Sequence, residues 1–118
     1  MSKSILFIVN DPPYGTERAY NAFRLAGAVA KRQNDHVLVF LMGDAVGCAV
    51  GGQILPDGFY KLDRMLGSII RHGGEVACCG TCMDARAISA DSLIEGARRS
   101  TLDELADMTL AADQVITF

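Results

Sequence analysis

The 118-residue chain has no long hydrophobic run, no basic excess, only two histidines and no proline beyond Pro56. Each shortage removes a class of function. The apolar run near the N-terminus, Ile5 to Val9, is too short for a signal-peptide core or a membrane span, so a cytoplasmic protein with no membrane partner is expected. A net charge of -3 gives no footprint for a phosphate backbone, and nucleic acid is not an expected partner. The histidines, His36 and His72, fall at a strand start and a helix end, away from the Cys79-x-x-Cys82 pair, and no second cysteine pair completes a site. No metal, cluster or other cofactor is therefore expected. The prolines, Pro12, Pro13 and Pro56, all precede the Cys79-x-x-Cys82 pair, whereas a thioredoxin-type site sets its pair after an early strand with a proline-bearing loop opposite. Internal repeats, low-complexity tracts and linkers are also missing, which predicts a single domain over residues 1–118.

What is present is apolar and alternating. Half of the residues are hydrophobic, enough to cover both faces of a sheet or to supply a subunit interface. Ile5–Val9 reads as a buried strand closed by the Asn10–Gly15 turn. Ala19, Ala22, Phe23, Ala26, Val29 and Ala30 then fall on one face of a helix over Thr16–Arg32. A second strand, His36–Met42, runs into Gly43-Asp44, where Asp44 is expected to cap a short helix through Cys48. Gly51–Gly58 is a turn-rich loop, and Leu62, Met65, Leu66, Ile69 and Ile70 mark a helix stopped by Gly73-Gly74. Glu75–Cys79 is a third strand, followed by a turn or short helix to Arg86. A short helix over Ser89–Gly96, a weak strand at Ala97–Ser100, a helix from the capping box Thr101-Leu-Asp-Glu104 through Ala112, and a last strand, Gln114–Phe118, complete the series. This alternation predicts an α/β fold, a mostly parallel sheet between helical layers, with the ligand site beyond the carboxyl ends of the strands. Three loops meet there: Asn10–Thr16, Gly43–Asp44 and Cys79–Arg86.

The cysteine-rich segment Cys78-Cys-Gly-Thr-Cys82 lies in the third of these loops. A thiol just past a strand and close to a helix start meets backbone N–H groups that favour the thiolate, the form that attacks sulfur. Cys82 is best placed as a nucleophile, in the turn beside Asp84 and Arg86, and Cys79 shares its CxxC spacing. Cys78 alternates with Val76 and Cys48 sits among Ala45, Val46 and Ala49, so both are read as core. For Asp84 and Arg86, capping and pairing at a helix start is weighed equally with a catalytic role. The residues alone leave covalent carriage on one cysteine, a Cys79/Cys82 redox switch and a non-enzymatic oligomeric binding module all open.

Three stretches together, Asn10-Asp-Pro-Pro-Tyr-Gly-Thr-Glu17, Phe40-Leu-Met-Gly-Asp-Ala-Val46 and Cys79-Gly-Thr-Cys-Met-Asp-Ala-Arg-Ala-Ile-Ser89, resemble the DsrE/DsrF/TusD sulfur-relay superfamily and its small YchN-type branch. The ending from Gly96 to Phe118 fits the same branch, so the resemblance spans essentially the whole chain. It implies a three-layer α/β/α sandwich around a five-stranded sheet, assembled as a homotrimer or homohexamer. It implies a sulfur carrier or sulfurtransferase-like protein that holds sulfane sulfur as a persulfide on Cys82 and exchanges it with donor and acceptor proteins. Asp11, Tyr14, Asp44 and Arg86 would shape the surroundings of that cysteine. The family commonly has glycine where Ala87 stands, which marks a turn that favours positive φ.

Overall fold

In the computed structural model, which describes residues 2–118, five strands form one sheet in the order β4-β3-β2-β1-β5, with every pairing parallel. They are β1 (Ser4–Val9), β2 (His36–Leu41), β3 (Glu75–Cys79), β4 (Ala97–Ser100) and β5 (Gln114–Thr117). The helices are α1 (Arg18–Ala30), α2 (Leu62–Arg71), α3 (Gly80–Ala85) and α4 (Leu102–Ala111). Parallel neighbours need a crossover, and right-handed crossovers decide which face each helix covers. The connections β1-α1-β2 and β2-α2-β3 step one way across the sheet, so α1 and α2 share a face and pack on each other. The connection through α4 carries the chain from β4 back across to β5 and places that helix on the opposite face.

Register assigns the side chains. Ile5, Phe7 and Val9 align with Val37, Val39 and Leu41, and these with Val76 and Cys78, on the α1/α2 face. The alternate set, Leu6, Leu38, Phe40, Ala77 and Cys79, faces α4, whose Glu104, Asp107, Met108 and Ala111 line a shallow groove with Ser4, His36, Leu38, Glu75 and Arg98. Because central strands are buried on both faces, their sequence is continuous hydrophobe. Phe7, Phe23 and Phe40 are fully buried, each stabilising the fold by about 1.5–3 kcal/mol.

Boundaries move where distant contacts act. The first helix begins at Arg18 and not at Thr16, because the Thr16 hydroxyl donates to Asp11 Oδ2 at 2.6 Å and holds that residue in the preceding turn. The helix expected over Ser89–Gly96 is reduced to one 3₁₀ turn, Ala90–Ser92. Its remainder is pulled straight by the Val50–Leu93 antiparallel bridge and by backbone bonds from Gly51 N to Ser92 O (2.9 Å) and Ile94 N to Ala49 O (2.9 Å). Thr101 does cap α4, its hydroxyl accepting from Glu104 N at 3.1 Å. The Glu104 carboxylate leaves the reciprocal half of the box, however, to accept from the Ser100 hydroxyl and Arg98.

Candidate functional site

β3 ends at Cys79, which is extended at φ −60° and ψ 117° and stands as the N-cap residue of α3. Cys82 is therefore three residues on, in the first turn of that helix. Gly80, between them, lets the Arg99 side chain lie close: a Cβ there would be 2.8 Å from Arg99 Cζ and would push the guanidinium aside. The Arg99 guanidinium, carried on the neighbouring edge strand β4, lies over the Gly80 backbone and grips Asp84 with two parallel bonds of 2.7 and 2.8 Å. That pair is solvent-exposed, so its contribution is to position α3 more than to stabilise the fold. Asp84 is held below the ordinary carboxylate range, chiefly by the Arg99 hydrogen bonds.

A second clamp acts at the C-cap of α3. Arg86 Nε donates to Asp44 Oδ1 at 2.9 Å and Arg86 Nη1 to Cys82 O at 3.1 Å. Asp44 was expected as a helix N-cap. It instead lies within the first turn of the 3₁₀ segment Gly43–Ala49, whose N-cap position is Met42, and it accepts no cap hydrogen bond, because its carboxylate is committed to Arg86. Behind Arg86 the chain leaves α3 through a Schellman turn: Ala87 N donates to Asp84 O (3.2 Å) and Ile88 N to Met83 O (3.0 Å). Ala87 takes the left-handed position of that motif at φ 55°. The turn conformation expected of glycine is kept, with alanine in it.

The four cysteines divide by environment. Cys48 and Cys78 are wholly buried, and burial pushes each thiol from its ordinary 9.0 up to about 12, so both stay protonated. Cys79 retains 5 % of its surface while Cys82 is partly exposed and is the most accessible of the four. Burial alone would raise the Cys79 pKa, but the Thr81 hydroxyl at 3.3 Å, the Cys82 thiol and the peptide N–H groups of Cys82 and Thr81 outweigh it and lower the value. These N–H groups polarise the sulfur without closing a side-chain cap hydrogen bond. The positive charge of Arg99 also interacts with Cys79.

Asp44, Asp84 and Arg86 thus join Cys79 and Cys82 around α3. Asp11 and Tyr14 do not bond to that turn among the described residues. Asp11 accepts from Thr16 and lies 4.0 Å from Arg18 Nε, closing the loop after β1. Tyr14 donates to Gln53 Oε1 and accepts from Leu62 N at 3.1 Å, so it fastens the 51–61 loop to the start of α2. Burial, more than any other effect, keeps its phenol above the ordinary range. Thr81 and Arg99 are the site residues that sequence reasoning passed over. Thr81 carried a signal, since it lies inside the CxxC; Arg99, 15 residues from Asp84, carried none. No group of three or more His, Cys, Asp or Glu side chains able to hold a metal ion occurs among the described residues.

An all-parallel α/β/α sandwich with a clamped cysteine turn at the carboxyl edge of its sheet is the class that fold and site define. The chain belongs to the DsrE/DsrF-like family, whose model matches residues 3–118. It is 40% identical over 117 residues to Protein YchN of Escherichia coli, covering 98% of this chain and 99% of that one. An uncharacterized protein of Methanopyrus kandleri is 36% identical over 114 residues, with 97% and 93% covered. The crystal structure of the E. coli ychN protein superposes with a TM-score of 0.93 at 41% identity over all of both chains. A Methanobacterium thermoautotrophicum protein of unknown function shares the fold, with a TM-score of 0.76 at 12% identity over 99% and 100% of the two chains.

Proposed function

We propose that this protein is a sulfane-sulfur carrier that loads and unloads through Cys82. The observation that carries the reading is the division of access and chemistry within one turn: Cys82 is partly open to a donor, Cys79 is buried beside it, and α3 is held through Asp84 and Arg86 by two arginine–aspartate pairs. In loading, the Cys82 thiolate attacks the outer sulfur of a donor persulfide; a new S–S bond forms on Cys82 and the donor departs as a thiolate. In unloading, an acceptor thiolate attacks the outer sulfur and Cys82 leaves. Neither step needs a metal or an oxidant. Membership of the DsrE/DsrF-like family supports the reading, and the burial of Cys48 and Cys78 argues against either as the carrier.

The test is intact mass after the reduced protein meets a low-molecular-weight persulfide. Cys79→Ser should gain the mass of a sulfur atom and Cys82→Ser should gain none. Equal gain in the Cys82→Ser variant, or no gain in the Cys79→Ser variant, overturns the proposal.

We further propose that copies of the chain associate through the loop before α2. Tyr60 is anchored by stacking on Tyr20 with ring centroids 4.3 Å apart, whereas Ile54 and Phe59 stand 91% and 66% exposed. Large apolar side chains standing that far into water favour a protein interface.

A further inference from the structure

Resting on the carrier reading, we propose that Cys79 resolves a persulfide carried on Cys82, discharging the stored sulfur as hydrosulfide and leaving a Cys79–Cys82 disulfide. Position supplies the argument. Cys79 is the N-cap of α3 and Cys82 its third residue, and an N-cap side chain is directed towards the backbone of that third residue, so the Cys79 sulfur lies among the groups of Cys82 and a small closing movement suffices to form a disulfide. The Cys79 sulfur lies on the inner side of Cys82, 3.3 Å from the Thr81 hydroxyl and with 5 % of its residue's surface open. A donor reaches Cys82 from the outer side, and the added sulfur occupies the space through which the donor came. Cys79 therefore meets the inner sulfur of the persulfide, Cys82 Sγ, before the outer one.

The step balances within the chain. Cys79 Sγ attacks Cys82 Sγ, the bond between Cys82 Sγ and the outer sulfur breaks, and that sulfur leaves as HS⁻ with the bonding pair and its own proton. The two cysteine sulfurs are oxidised and the sulfane sulfur is reduced. Hydrosulfide is a weaker base than an alkyl thiolate, which makes it the better leaving group. An external dithiol must then reduce the disulfide before another cycle, so carriage and discharge are alternatives whose balance follows the supply of acceptor thiols and of dithiol reductant. The Thr81 hydroxyl and the neighbouring peptide N–H groups favour the attacking form of Cys79. Thr81 is a positioning residue for this step.

The experiment loads the reduced protein with a low-molecular-weight persulfide, removes the donor by desalting in acid, and returns the sample to neutral pH. Hydrosulfide is then measured alongside intact mass. Wild type should release about one hydrosulfide per chain and finish two hydrogens lighter than the reduced protein, while Cys79→Ser keeps its sulfur. Thr81→Val should release hydrosulfide with a pH profile moved upward. Wild type that holds its sulfur as long as Cys79→Ser, or finishes as a mixed disulfide with the donor thiol, overturns the resolving step and leaves the carrier reading standing. A Cys79→Ser protein that never takes up sulfur overturns both. A Thr81→Val profile that coincides with wild type removes Thr81 from the step.

Discussion

Raising the pH from about 7 to about 10 should destabilise this protein through two thiols enclosed in its core. Cys48 and Cys78 are wholly buried, and each is pushed from 9.0 up to about 12 in the fold. The sign follows from proton counting. Above the unfolded value the unfolded chain gives up these protons while the native state keeps them, so the unfolded state binds fewer protons and stability falls as pH rises, through the window from about 9 to about 12. At about pH 10, one unit above the unfolded value, each thiol costs roughly 1–2 kcal/mol relative to neutral pH. Cys48→Ala removes one of these terms, and it also removes a buried sulfur, at a cost of roughly 0.5–1.5 kcal/mol by analogy with a deleted methyl group. The two effects are of similar size and opposite sign. Urea unfolding should therefore find Cys48→Ala less stable than wild type near neutral pH, with the gap closed or reversed at about pH 10. Tyrosines and lysines titrate alike in both proteins and cancel from the difference. A gap that stays constant between the two pH values would falsify the argument: it would mean that Cys48 ionises inside the native fold and stands available to sulfur chemistry after all.

The turn behind the site offers a cheaper perturbation, because Ala87 holds φ 55°, a left-handed conformation that costs an L-residue about 1–2 kcal/mol. Part of that is returned by the greater unfolded-state freedom of glycine, so Ala87→Gly should stabilise by roughly 0.5–1 kcal/mol in urea unfolding; a destabilised variant would show that the methyl group packs favourably. Removing the clamp with Arg99→Gln should let the Asp84 carboxyl titrate at higher pH, visible in side-chain NMR, and should slow sulfur uptake by Cys82. An unchanged Asp84 titration would mean that the pair does not persist in solution. Ile54→Asp combined with Phe59→Asp should lower the mass found by light scattering, and a wild-type chain that already scatters as a monomer would remove the proposed interface.

The sheet was legible wherever burial on both faces forced continuous hydrophobe, as in β1, β2 and β3, and wherever a glycine pair ended a helix, as Gly73 and Gly74 end α2. Gly73 takes φ 93°, and a Cβ on Gly74 would sit 2.6 Å from the Ile69 side chain, so local chemistry alone demands both glycines. β4 read weakly because Ala97–Ser100 contains Arg98 and Arg99, yet those two residues are the reason the edge strand matters. Arg98 reaches Glu75 and Glu104, and Arg99 reaches across β3 to Asp84 and Gly80. The charges that obscure the strand in the sequence are the ones that fasten the site in the fold. Asp44 misled for a related reason: an aspartate at a helix start has a local use as a cap, and only the fold reveals Arg86, 42 residues later, as its partner. The cysteine turn could thus be located from spacing, whereas its internal order could not. Which thiol is open and which is shielded depends on the Arg99 side chain reaching α3 from β4 and on the Gly43–Ala49 turn packing against that helix. The difference in exposure between Cys79 and Cys82 is therefore a property of chain segments distant in sequence. Substitutions at Arg99 or Asp44 should disturb it while leaving the CxxC itself intact.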